Sequence, residues 1–157
     1  MLFRSDESGG RVDIVKDLMA LVPTKVCRDY YGLDIDDEDA FAEWTIAVST
    51  MLFGDPFGDL ATRELGLTAG ALLRQTIIRS IAKAHTAAAS DGSRTASSPD
   101  TIVARLVRLQ RSGNSALTDD VIRSIVYGMV IGFVPTCTLG ASNIWQVLLE
   151  CPTAMEY

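Results

Sequence analysis

LTDDVIRSIVYGMVIGFVPTCTLGASNIWQVLL, residues 117 to 149, decides the fold of this chain. From Ser124 to Leu149 it runs 26 residues without a charge. Thr118 followed by Asp119 and Asp120 is a helix start, because a hydroxyl accepts from the first free N–H groups and carboxylates suit the positive end of the helix dipole. Cys151 before Pro152 marks the end, since the residue before proline is biased away from helical geometry. A helix over 118–150 is roughly 45–50 Å long at about 1.5 Å per residue, longer than a small domain is wide. It therefore runs through a core or a membrane.

The interior of this helix carries an unusual pattern. Gly128, Gly132, Thr136 and Gly140 recur at steps of four, which places small residues along roughly one face and lets something approach the backbone closely. Pro135 sits inside that stripe. Proline gives no N–H to the Ile131 carbonyl and its ring crowds it, at a cost of about 3 kcal/mol in a plain helix. A kink or an opened groove is expected there, and with it a site.

Composition bounds the function. The 157 residues are 48% hydrophobic, enough for one domain with a sizeable core. Fourteen basic against twenty acidic residues give a net charge of −6, which disfavours nucleic acid and anionic membrane surfaces as partners. Cys27, Cys137 and Cys151 are an odd number without CxxC spacing, so neither a disulfide framework nor a zinc site is indicated. The start, MLFRSDESGG, has too short an apolar stretch for a secretory signal, and nothing before Leu117 is long and uncharged enough to span a bilayer. These features fit a reducing cytoplasm without membrane attachment.

Upstream, residues 1–11 read as a loop and Val12 to Val15 as a short extended piece. Pro23 to Leu33 reads as a helix with Pro23 in its first turn and Gly32 as its left-handed cap. Asp36 to Glu38 is an acidic helix start, and Phe41, Trp44, Ile46, Val48, Met51 and Leu52 give the helix that follows a broad apolar surface. The acidic run Asp36 to Asp39 is most simply an N-terminal face turned to water. After Gly54-Asp55-Pro56, Leu60 to about Ala84 reads as a longer helix, with Leu65, Leu67, Leu72, Leu73, Ile77, Ile78 and Ile81 on its apolar side. His85 to Pro99 is rich in small polar residues and reads as a flexible loop, with His85 solvated. Asp100 to Arg111 is a short helix with Ile102, Val103, Leu106, Val107 and Leu109 inside. The expected fold is all-α, with helices 37–53 and 61–84 crossing over the long kinked one.

Several motifs carry a resemblance. Ile131-Gly132-Phe133-Val134-Pro135-Thr136 resembles the distal (I) helix of the haem-thiolate monooxygenases, the cytochrome P-450 superfamily, where a small residue, commonly an acid, and then a threonine lie over the haem. Its flanks LTDDVIRSIVYGMVIG and NIWQVLLECP are similar to those of soluble bacterial members. VPTKVCRDYYGL resembles helix E, the two helices after Asp36 the F and G lid helices, and Asp100 to Arg111 helix H. The resemblance runs from helix E to the start of helix J and covers nearly the whole chain, as a single partial domain over 1–157. No Glu-x-x-Arg pair and no glycine-containing cysteine loop appears; in the family these lie downstream.

The resemblance implies a haem cofactor, an apolar small-molecule substrate and an electron-transfer partner such as a ferredoxin or a reductase. It implies that Thr136 is catalytic and that Gly128, Ile131, Gly132 and Thr136 contact the cofactor. The chain by itself is expected to be inactive, since no metal ligand is assigned: Cys27 and Cys151 lack the loop pattern of a haem thiolate, and Cys137 reads as a small buried hydrophobe. Pro135 stands where the family's acid does and Phe133 where glycine is frequent. That departure leaves two chemistries open, oxygen insertion by a monooxygenase or peroxide use by an isomerase or peroxygenase. On spacing alone the glycine stripe reads as close helix packing; with the upstream order it reads as a haem face. Two further readings are a protein with a single span over Ser124 to Leu149 and an all-helical small-molecule-binding module.

Overall fold

The computed structural model describes residues 13–90 and 100–151. Every regular element among them is helical. The first, here called α1, is one continuous run made of a π-helical stretch Val15–Ala20, an α-helical stretch Leu21–Val26 and a second π-helical stretch Cys27–Tyr31. Asp13 opens it, one carboxylate oxygen accepting from the Val15 and Lys16 amides at 3.1 Å each. The expected extended piece is thus corrected: Ile14 and Val15 are helical, and Val12, with the loop expected over 1–11, lies outside the described residues. Pro23 is correspondingly in mid-helix, not in the first turn. Gly32, at φ 81°, ends α1 as expected. A Cβ there would lie 2.3 Å from the Thr101 hydroxyl oxygen, so both the backbone conformation and the close approach require glycine.

Helix α2, Glu38–Ser49, is capped by Asp37, whose carboxylate accepts from the Ala40 amide at 3.0 Å, and it continues into a π-helical turn, Thr50–Gly54. The acidic run at its start is not merely a solvated face. Asp36 pairs with Arg79 at 2.7 Å and Glu38 pairs with Arg28, so these carboxylates tie α2 to its neighbours. Helix α3, Leu60–Ser90, is longer than its apolar pattern indicates. Of the loop expected over 85–99, His85 to Ser90 belong to this helix, and 91–99 lie outside the described residues. Good helix formers such as Ala87, Ala88 and Ala89 carry the helix on without any apolar periodicity. Helix α4, Ile102–Arg111, starts at a Thr101 cap; helix α5 is Asp119–Glu150.

Helices α2 and α3 pack on each other and both pack on α5. One core cluster joins them: Phe41 and Val48 from α2, Leu73, Ile77 and Ile81 from α3, Val103 and Val107 from α4, and Ile122, Val126, Val130 and Val134 from α5. Burying each such side chain is worth roughly 1.5–3 kcal/mol. The expected apolar sides are broader than the buried ones. Leu65, Leu67 and Leu109 are exposed, as are Phe53 and Phe57 at the α2–α3 turn.

Candidate functional site

The candidate site is the open face of α5. The Thr118 hydroxyl caps this helix, accepting from the Val121 amide at 3.3 Å. From there Ile122, Val126, Val130, Ile131, Val134, Pro135 and Thr138 are buried, while Gly128, Gly132, Thr136 and Gly140 fall on the exposed side. A Cβ built at Gly128, Gly132 or Gly140 meets nothing within 4 Å. The stripe is therefore not a seat for another described helix. Gly66 and Gly70 show what such a seat looks like: a Cβ at Gly66 would lie 2.6 Å from Met51 Cβ, and one at Gly70 2.9 Å from the Tyr127 hydroxyl.

Thr136 has a free hydroxyl among the described residues. The hydroxyls of Thr24, Thr68, Thr76 and Thr138 each donate to the carbonyl four residues back, a local bond that a helical threonine readily makes. Thr136 makes no such bond. Of the residues expected to contact the cofactor, Gly128, Gly132 and Thr136 thus share one open face. Ile131 is 6% exposed and its side chain belongs to the core. Phe133 is half-buried with its ring 5.7 Å from that of Tyr31. It faces α1, away from the open stripe.

Two contacts near this site have no signal in the sequence. The first is Thr138, 2% exposed, whose hydroxyl lies 2.8 Å from the Val134 carbonyl and 3.2 Å from the Met19 carbonyl of α1. Pro23, four residues on from Met19, has no N–H to offer that carbonyl. The second is His85, whose Nε2 is 3.0 Å from the Asp119 carboxylate, which also accepts from Gln110 at 2.9 Å. These hydrogen bonds, Gln110 first and His85 second, hold the Asp119 carboxyl below its ordinary range. His85 thereby links α3 to the start of α5 and is not the solvated loop residue expected.

The cysteines are dispersed in character. Cys27 is fully buried, and burial, with Cys137 nearby, pushes its thiol up to about 12. At neutral pH it stays a thiol, the form that does not ligate iron. Cys137 is half-buried and Cys151 is exposed. No group of three or more His, Cys, Asp or Glu side chains able to hold a metal occurs among the described residues.

Comparison with known proteins supplies the wider context. Over 98% of its length the chain is 28% identical to a germacrene A hydroxylase from Barnadesia spinosa and 26% identical to cytochrome P-450 71AV8 from Cichorium intybus. The chain is thus similar, over nearly its whole length, to proteins of the cytochrome P-450 kind. It spans about a third of the length of these relatives, 32% of each. No family model matches it, and no solved structure matches it.

The relatives correct the expected cytoplasmic location. Their likeness to this chain runs against that location, and among the described residues one helix, α5, is long and apolar enough to cross a membrane, an 18-residue stretch of it having a mean hydropathy of 1.6. The expectation rested on the cysteine pattern, on net charge and on the absence of an apolar run before Leu117. None of these properties speaks to an anchor elsewhere in a longer protein.

Proposed function

We propose that this chain forms the distal side of a haem-thiolate monooxygenase, with the open face of α5 lying over the macrocycle. The observation that carries the reading is the stripe of Gly128, Gly132 and Gly140, where no described atom fills the space a Cβ would occupy. A flat prosthetic group fits such a face, since glycine lets it approach the backbone. Haem, when bound, supplies oxygen activation, and its thiolate comes from a cysteine other than Cys27, Cys137 and Cys151. Gly128 and Gly132 keep the face flat. Thr136 holds or passes a proton, because a hydroxyl both donates and accepts and this one has no described partner.

Pro135 sets the proton route. It is buried and carries no carboxyl, and it leaves the Ile131 carbonyl without the usual helical donor. A water bonded to that carbonyl completes the path to Thr136. An apolar organic substrate fits the mostly uncharged surface of α5. One relative is named as a hydroxylase, and a ferredoxin or reductase supplies electrons in this reading. The missing carboxyl also favours a second reading, in which the complete protein takes an already reduced oxidant, a hydroperoxide, and needs no electron donor.

Thr136→Ala in the complete protein tests the assignment. The expected outcome is a loss of product per reductant consumed, on the order of tenfold, with the balance released as hydrogen peroxide. Pro135→Asp preserves or improves that ratio. Turnover on hydroperoxide without any reductase would select the second reading, and unchanged activity in Thr136→Ala would overturn both.

A further inference from the structure

The two halves of α5 are tied to the rest of the molecule very differently. Up to Pro135, α5 is held by a row of buried side chains; beyond it, Thr138 is the one buried side chain on the helix. The proline itself removes a helical hydrogen bond at the junction. Thr138 meets a second proline's consequence on the facing helix. Pro23 cannot donate to the Met19 carbonyl, and the Thr138 hydroxyl approaches that carbonyl at 3.2 Å while also lying 2.8 Å from the Val134 carbonyl. Pro23 leaves a loose point on α1, and the Thr138 hydroxyl reaches it from the half of α5 that lies beyond Pro135.

We propose that Thr138 is a positioning residue, a pin that locks the post-proline half of α5 to α1 and so fixes where Thr136 points. The pin rests on a buried hydroxyl, two acceptors on two different helices, and the lack of any other buried anchor from Thr136 to Glu150. Its link to chemistry rests on the proposed role of Thr136. Leu139, Ile144, Val147 and Leu149 are 57–65% exposed and so add little restraint of their own. A shared three-centre bond of this kind is also easily exchanged for one of its two acceptors, so the pin can release the Met19 carbonyl while α5 keeps its own.

Hydrogen exchange and coupling, measured together on the complete protein, test the pin. Thr138→Val keeps the shape and removes the donor, whereas Thr138→Ser keeps the donor. The expected result is exchange of the 139–150 amides raised about tenfold in Thr138→Val, the loss of one buried hydrogen bond. Product per reductant falls in the same variant, and Thr138→Ser returns both toward the parent values. Unchanged exchange in Thr138→Val overturns the pin whatever happens to activity. Raised exchange with unchanged coupling, in a protein where Thr136→Ala does uncouple, overturns the positioning role and leaves the reading of Thr136 standing. If Thr136→Ala itself leaves coupling unchanged, the proposed function falls and the positioning role falls with it.

Discussion

The half of α5 before Pro135 and the half after it both carry many apolar side chains and have opposite surroundings. Ile122, Val126, Val130 and Val134 are 0–1% exposed, while Ile144, Val147 and Leu149 are 57–65% exposed. Hydrophobicity alone does not distinguish them. What differs is the neighbours: α2, α3 and α4 close over the first half, and in the second Thr138 reaches α1 and nothing else is buried. An apolar helix is thus half core and half unfilled surface. The open glycine face runs through both.

The largest expected effect breaks the comparison in the core. Ile122→Ala should cost about 2–5 kcal/mol, the transfer term plus the cavity left behind, and Ile144→Ala should change stability by less than about 0.5 kcal/mol. Urea unfolding of the two variants measures the difference. Similar losses at both positions would show that the second half is covered in solution.

A smaller effect sharpens the contrast between glycines. Gly66→Ala drives a methyl against Met51 and should destabilise by about 1–3 kcal/mol, because the contacted atom is a Cβ fixed close to the backbone. Gly132→Ala meets open space and should stabilise the helix by about 0.5–1 kcal/mol in the absence of haem. Thermal unfolding of the two variants reads both signs. A destabilising Gly132→Ala in that form would mean that polypeptide already occupies the stripe.

The smallest effect compares the two prolines, both buried in mid-helix. Pro135→Ala restores an N–H at a carbonyl, that of Ile131, which no side-chain hydroxyl reaches among the described residues. Pro23→Ala restores one at the Met19 carbonyl, which Thr138 already approaches. Pro135→Ala should therefore be the more favourable substitution by about 1 kcal/mol, the net worth of one hydrogen bond. Denaturant midpoints at constant slope check it, and a greater gain at Pro23 would argue against Thr138 as an effective donor.

Much of this architecture was legible in residue order. Thr118 with Asp119 and Asp120 marks the start of α5 because the side chains that can cap a helix are few and their effect is local. Gly32 marks the end of α1 for the same reason: a left-handed residue is cheap only for glycine. Other boundaries were not legible. Pro23 looks like a first-turn proline, yet α1 extends eight residues before it, since α5 supplies through Thr138 the partner that the proline denies to Met19. His85 looks like a loop residue, yet Asp119 and the helix-favouring alanines after it keep α3 intact.

The sequence by itself therefore determined the all-α class, the length and polarity of α5 and the four-residue recurrence of Gly128, Gly132, Thr136 and Gly140. Each follows from local chemistry: capping, helical period and the lack of charge. Only the tertiary structure decided which side of that helix is core, that Ile131 turns inward while Thr136 finds no partner among the described residues, and that Thr138 bridges two helices across 119 residues of chain. Those facts depend on which elements meet, and an uncharged stretch like Ser124 to Leu149 offers no local pattern that separates a buried apolar side chain from one left facing an open groove.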